Sequence, residues 1–116
     1  TNKIKGIVNL IMLYDENCKD CYDVTKHKLA IAKIKMYIKN EEKIDINSKE
    51  GKELIQKYKI TKIPTIILSK EAMDYPQFDQ IWGGVGDVAD DGTLVFRNVE
   101  TMGTYKDLNT NKIINI

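Results

Sequence analysis

The stretch Asp15-Glu16-Asn17-Cys18-Lys19-Asp20-Cys21-Tyr22, DENCKDCY, holds the chain's only two cysteines, in Cys-x-x-Cys spacing. Just before it, Ile4 to Tyr14 (IKGIVNLIMLY) is an almost unbroken apolar run, the composition of a strand buried on both faces of a sheet. Asp-Glu-Asn interrupts that run with turn and cap residues. From Cys18 the period changes: Tyr22, Leu29 and Met36 recur every seven residues beside Val24, Ile31, Ile34 and Ile38. That wide apolar stripe predicts a long amphipathic helix with no Gly or Pro until after Asn40, and with Asp20 and Asp23 in its first turns, where the helix dipole favours carboxylates. On this reading the cysteines sit where a strand ends and a helix begins.

The rest of the chain extends the pattern. Lys43 to Ser48 (KIDINS) alternates Ile44 and Ile46 with polar residues and predicts a short strand. Ser48 is placed as the N-cap of a second helix over Glu50 to Tyr58, with Leu54, Ile55 and Tyr58 facing inward. Strand, helix, strand, helix implies two parallel strands joined by a right-handed crossover. Lys59 to Ser69 (KITKIPTIILS) predicts another buried strand that starts at Pro64, where a missing N–H is tolerated. A long loop-like segment follows from Lys70 to Asp91, and Asp91-Gly92 signals a turn into TLVFRNV, read as a strand antiparallel to the one before. The tail predicts a short helix near Tyr105 to Leu108, a turn at Asn109 to Asn111 and an apolar IINI end.

Composition narrows the function classes. At 116 residues, 42% hydrophobic and 30% charged, the chain suits one α/β domain over 1–116 that buries a core without disulfide support. Its 18 basic residues against 17 acidic ones leave a net charge of +1, so no global field attracts nucleic acid or anionic lipid. No run approaches the roughly 18 apolar residues of a membrane span. The start at Thr1 rather than Met and the long 70–91 loop point to an exported or membrane-tethered domain, expected as a monomer.

Two cysteines are too few for a secreted disulfide framework, so the pair has to be explained locally. In front of a helix within a strand-helix-strand unit, Cys-x-x-Cys matches a thiol redox motif, because unpaired N–H groups and the positive dipole end favour thiolate over thiol. Cys18, read as the more exposed thiol, would attack a substrate disulfide, and Cys21, a helical turn inward, would resolve the mixed disulfide. Lys19 favours that thiolate, whereas Asp15, Glu16, Asp20 and Asp23 oppose it. The balance predicts moderate activation and a reducing or intermediate potential.

These residues, with Ile63-Pro64-Thr65 in YKITKIPTIIL, resemble the thioredoxin superfamily over about residues 4 to 69, and loosely over Gly92 to Leu108. The resemblance implies a central four-stranded sheet in the order second, first, third, fourth strand, with the last two strands running against the first pair. It further implies a cis Ile63-Pro64 bond beside the cysteines and a redox-active Cys18-Cys21 disulfide in place of any bound cofactor. Ile63 would offer its backbone to an extended substrate, and the partners would be protein thiols or disulfides and an upstream redox donor. The chain departs from the family in several places. Asn17 stands where thioredoxins carry Trp, Lys-Asp separates the cysteines, and Met12 falls where a buried acid is usual. The 70–91 insertion is long and the C-terminal helix is reduced. Tyr75, Phe78 and Trp82 would line a partner site near Pro64, or else form a lid over the sheet.

Other readings stand beside these. The cysteine pair can be inert or structural, and the contrasting function is a non-enzymatic binding module whose interface is the 70–91 insertion. A structural zinc site wants four ligands. There is no second cysteine pair, and His27, read as an exposed helix residue, is too far along the helix to join the first, so no metal is expected. Gly83-Gly84-Val85-Gly86 lacks the strand-to-helix context of a phosphate loop and reads as a flexible loop. Asp87, Asp90 and Asp91 lack calcium-loop spacing and read as a surface turn.

Overall fold

Both faces of a central sheet are covered in the computed structural model, which describes residues 7–34, 36–75 and 78–115. Residues 4–6 of the expected first strand, the side chain of Ile34 and the last residue of the tail lie outside that description. Strand β1 (Val8–Tyr14) pairs in parallel with β2 (Ile38–Asp45), the two being joined through helix α1 (Lys26–Ile34). Helix α2 (Lys49–Lys57) follows, with Ser48 Oγ accepting the Gly51 N–H at 3.0 Å as the expected N-cap. Next come β3 (Lys62–Ile63), the cis bond between Ile63 and Pro64, and β4 (Thr65–Leu68). A short helix α3 (Phe78–Trp82), strands β5 (Gly86–Val88) and β6 (Leu94–Phe96), and a hairpin of β7 (Tyr105–Asp107) with β8 (Lys112–Ile114) complete the described chain.

Period-two alternation divides the core between the two faces. Val8, Leu10 and Met12 of β1 join Ile66, Leu68, Leu94 and Phe96 on the face packed by Tyr22, Val24, Ile31, Phe78 and Trp82. Leu13 joins Ile63, Ile67 and Val95 on the opposite face, against Leu54, Ile55 and Tyr58 of and beside α2. The doubly buried first strand and the inward face of the second helix are therefore as the sequence indicates.

The sheet is larger than expected. Five strands run in the order β2-β1-β4-β6-β5, because residues 86–88 of the insertion add an edge strand beside β6, and a separate three-stranded sheet has the order β3-β7-β8. Strand β6 is antiparallel to β4, as expected, while the Asp91-Gly92 turn joins it to β5. Since β4 is itself antiparallel to β1, β6 runs with the first pair and not against it.

Three local readings change. The long helix after Cys18 is short: α1 starts at Lys26, and what was read as its C-terminal part, from Ile38, is strand β2. Pairing with β1 overrides the helical stripe. Leu29, assigned to the apolar face, is 70% exposed. At the tail, Tyr105–Asp107 is strand and not helix, because pairing with β3 satisfies its backbone. In the insertion, Phe78 and Trp82 are buried with their rings stacked at 5.5 Å, and Trp82 Nε1 donates to the Asp87 carbonyl. Gly86 permits that packing, since a Cβ there would lie 2.9 Å from the Trp82 ring. The insertion thus contributes core and a sheet edge, and Gly86 is strand where a flexible loop was read.

Candidate functional site

Strand β1 delivers Asp15 to the mouth of the sheet, and two turns carry the chain on to the cysteines. The Cys18 N–H donates to the Asp15 carbonyl at 2.9 Å, and the Cys21 N–H reaches the Cys18 carbonyl at 3.4 Å. Cys18 and Cys21 form a disulfide with their Cα atoms 5.5 Å apart. The pair lies in turns ahead of α1 and not in its first turn, so the helix N-terminus is displaced from the sulfurs. Exposure also reverses the expected order: Cys18 is only 7% exposed, whereas Cys21 is partly open.

A cavity of about 90 Å3 opens on the pair, walled by Cys18, Cys21, Asp15, Tyr22, Lys43 and Pro64 among others. The fold therefore brings the two cysteines and Pro64 together. Lys19 and Asp20 are exposed on the turn between the sulfurs. Thr65 is fully buried and donates its hydroxyl to the Phe96 carbonyl at 2.7 Å. Trp82 lines a different, apolar cavity shared with His27, Ile66 and Phe96, so it does not join the cysteines.

Two buried polar networks brace this cavity. On one side, the Asp15 carboxylate, with its side chain 1% exposed, accepts from Lys106 Nζ, Asn47 Nδ2 and the Asn17 N–H, each at 2.9 Å. Burial pushes its carboxyl up, but the hydrogen bonds from Lys106, Asn47 and Asn17 and the Lys106 charge outweigh burial and hold it below the usual range. Asp15 thus ties the loops after β1 and β2 to β7.

On the other side, Tyr22 donates its hydroxyl to the Pro64 carbonyl at 2.9 Å and lies 2.7 Å from His27 Nε2. A phenol has one proton. With it committed to Pro64, the imidazole must carry its proton on Nε2 and donate to Tyr22. Burial lowers His27 to about 4 and raises Tyr22 above the ordinary tyrosine range, so both are neutral near pH 7.

His27 is accordingly not the exposed helix residue read from the sequence. It is 4% exposed in the first turn of α1, edge-on to Phe96 at 4.7 Å. The sequence pattern marks neither Asp15 nor His27 for this structural role and does not mark Lys106 at all. No local signal marks His27, whose burial comes from residues distant in sequence such as Phe96.

The remaining motifs are accounted for as surface structure. Asp87 pairs with Arg97 Nε at 3.1 Å, and Asp91 accepts the Tyr58 hydroxyl at 2.9 Å. Among the described residues, no group of three His, Cys, Asp or Glu side chains is placed to hold a metal ion, and no helix is long and apolar enough to cross a membrane. Comparison with protein-family models, curated proteins and solved structures finds no match to this chain.

Proposed function

We propose that the chain is a divergent thioredoxin-like thiol–disulfide oxidoreductase working through the Cys18–Cys21 pair. The observation that carries this reading is the shared cavity: both cysteines and the proline of the cis Ile63-Pro64 bond wall the same opening, at the end of a strand in a strand-helix-strand unit. Relative exposure supports Cys21 as the sulfur that meets the substrate. A substrate thiolate attacks Cys21 Sγ, the Cys18–Cys21 bond breaks, and Cys18 leaves as a thiolate that takes up a proton. A second substrate thiolate attacks the mixed disulfide, releasing the Cys21 thiolate and a substrate disulfide. Two thiols are oxidised and the protein disulfide is reduced; a substrate disulfide reoxidises the dithiol by the reverse steps.

With α1 starting only at Lys26, the thiolate gains little from the helix dipole, which supports a reducing or intermediate potential. The rival reading, a binding module using the insertion, draws no support from Phe78 and Trp82, which are in the core.

The test is equilibration with glutathione and dithiothreitol redox buffers, read by thiol alkylation and mass, followed by trapping in single-cysteine variants. A reversible two-electron transition is expected, with Cys18→Ser capturing a mixed disulfide through Cys21. Capture mainly by Cys21→Ser restores Cys18 as the attacking thiol. A pair that stays oxidised under strong reductant removes the redox reading.

A further inference from the structure

Strand β7 occupies one edge of β3, the strand that ends at Pro64. Its register pairs Lys62 with Asp107 and Ile63 with Lys106. The Leu108 N–H donates to the Thr61 carbonyl at 2.7 Å, which makes Thr61–Leu108 a hydrogen-bonded pair. Antiparallel pairs alternate between bonded and non-bonded. Ile63 and Lys106 are therefore the next bonded pair, exchanging both N–H···O bonds, so the backbone donor and acceptor next to Pro64 are committed to the protein's own chain. The same segment is fastened elsewhere: Thr104 accepts the Tyr22 N–H at 2.9 Å, and Lys106 Nζ reaches Asp15 at 2.9 Å.

Resting on the redox reading above, we infer that Lys106 is a specificity-determining residue that restricts the cysteine pair to low-molecular-weight thiols and disulfides and bars extended polypeptide. An extended chain binding as an added strand needs free backbone groups for its affinity. Here Ile63 offers none. The cavity of about 90 Å3 has room for only a few waters' worth of substrate, a thiol-bearing tip and not a flanked backbone. The exchange chemistry is that given above, with the small thiol as the electron donor and the Cys18–Cys21 disulfide as the acceptor.

The experiment compares rates of disulfide opening in the intact oxidised protein by glutathione and by a reduced, unstructured peptide carrying one cysteine of matched thiol pKa. Wild type is expected to favour glutathione by at least about tenfold. Lys106→Pro removes the N–H that Ile63 receives. Because it also removes the Lys106–Asp15 ion pair, Lys106→Met, which loses only that pair, is the reference; relative to it, Lys106→Pro is expected to raise the peptide-to-glutathione rate ratio by about tenfold, the worth of one regained backbone hydrogen bond. The wild-type ratio decides the matter even if that variant fails to fold. Peptide reacting as fast as glutathione in wild type overturns the restriction while leaving the redox reading intact. If neither thiol opens the disulfide faster than that of an unstructured Cys-x-x-Cys peptide, the redox reading itself falls, and the restriction with it.

Discussion

Acidification from pH 7 to pH 5 is expected to cost this protein about 2 kcal/mol of stability, nearly all of it through His27. The imidazole is buried in apolar surroundings, and its pKa falls from an ordinary 6.5 to about 4. Between those values the unfolded chain binds a proton that the folded one refuses, so stability is full above pH 6.5, declines with acid and levels off below about pH 4. At about 1.4 kcal/mol per pKa unit, a pH 1.5 units below the unfolded value accounts for the stated loss. Among the described residues, the side chains that face His27 are Tyr22, which stays neutral, and apolar residues including Phe96, Ile31 and Met102, with no carboxylate to rescue the cation. Urea unfolding followed by Trp82 fluorescence, with the disulfide kept oxidised, measures the effect. His27→Gln, which preserves an N–H for Tyr22, should be flat over the same range. Wild-type stability constant to within about 0.5 kcal/mol from pH 7 to pH 5, or an equal slope in His27→Gln, refutes the assignment.

Two further substitutions probe the networks around the cysteines. Tyr22→Phe leaves the buried Pro64 carbonyl and His27 Nε2 without their partner and should cost about 2 to 6 kcal/mol, at 1 to 3 for each orphaned group; a loss under about 1 kcal/mol by urea titration argues against both bonds. Lys106→Met should cost about 2 kcal/mol near pH 7, less than a fully buried pair because Lys106 is 20% exposed and Asp15 keeps Asn47 and Asn17. Since the folded Asp15 pKa is lowered, that stabilisation is present above the unfolded value near 3.9 and fades as pH falls below it. A difference from wild type that does not shrink in acid removes the ion pair as its source.

What the sequence disclosed follows from how local each signal is. The buried β1, the Ser48 cap and the Asp91-Gly92 turn depend on neighbouring residues, and each is where the pattern put it. The helix after Cys18 failed because a sevenfold stripe of Tyr22, Leu29 and Met36 arises equally from a turn, a helix and a following strand that each place one apolar residue inward. Only pairing of Ile38–Asp45 with β1 distinguishes them, and that contact spans some thirty residues. Four of the five exposed positions from Lys39 to Lys43 in β2 also carry charges that protect an edge strand yet read as a polar helix end. Of the site, the cysteines and Pro64 were legible as a motif. Lys106, Asp15 and His27 were not, because their roles come from partners up to 91 residues away.

The polar groups around Pro64 bear directly on what the cysteines can meet. The Pro64 carbonyl is turned inward to Tyr22, the Ile63 backbone is taken by Lys106 through the β3–β7 register, and the Thr65 hydroxyl is spent on Phe96. On the proposed redox reading, a substrate approaching Cys21 finds sulfur and a small opening, with the Ile63 backbone, the Pro64 carbonyl and the Thr65 hydroxyl already spent. Breaking in on any of these bonds orphans a buried group at about 1 to 3 kcal/mol, roughly what one new backbone bond to a peptide would return. Peptide binding at this edge therefore comes out near zero net gain, whereas a small thiol disturbs none of the bonds. On that argument the same packing that stabilises the cysteine loop also selects the substrate, and a variant with a looser loop should react with more kinds of thiol.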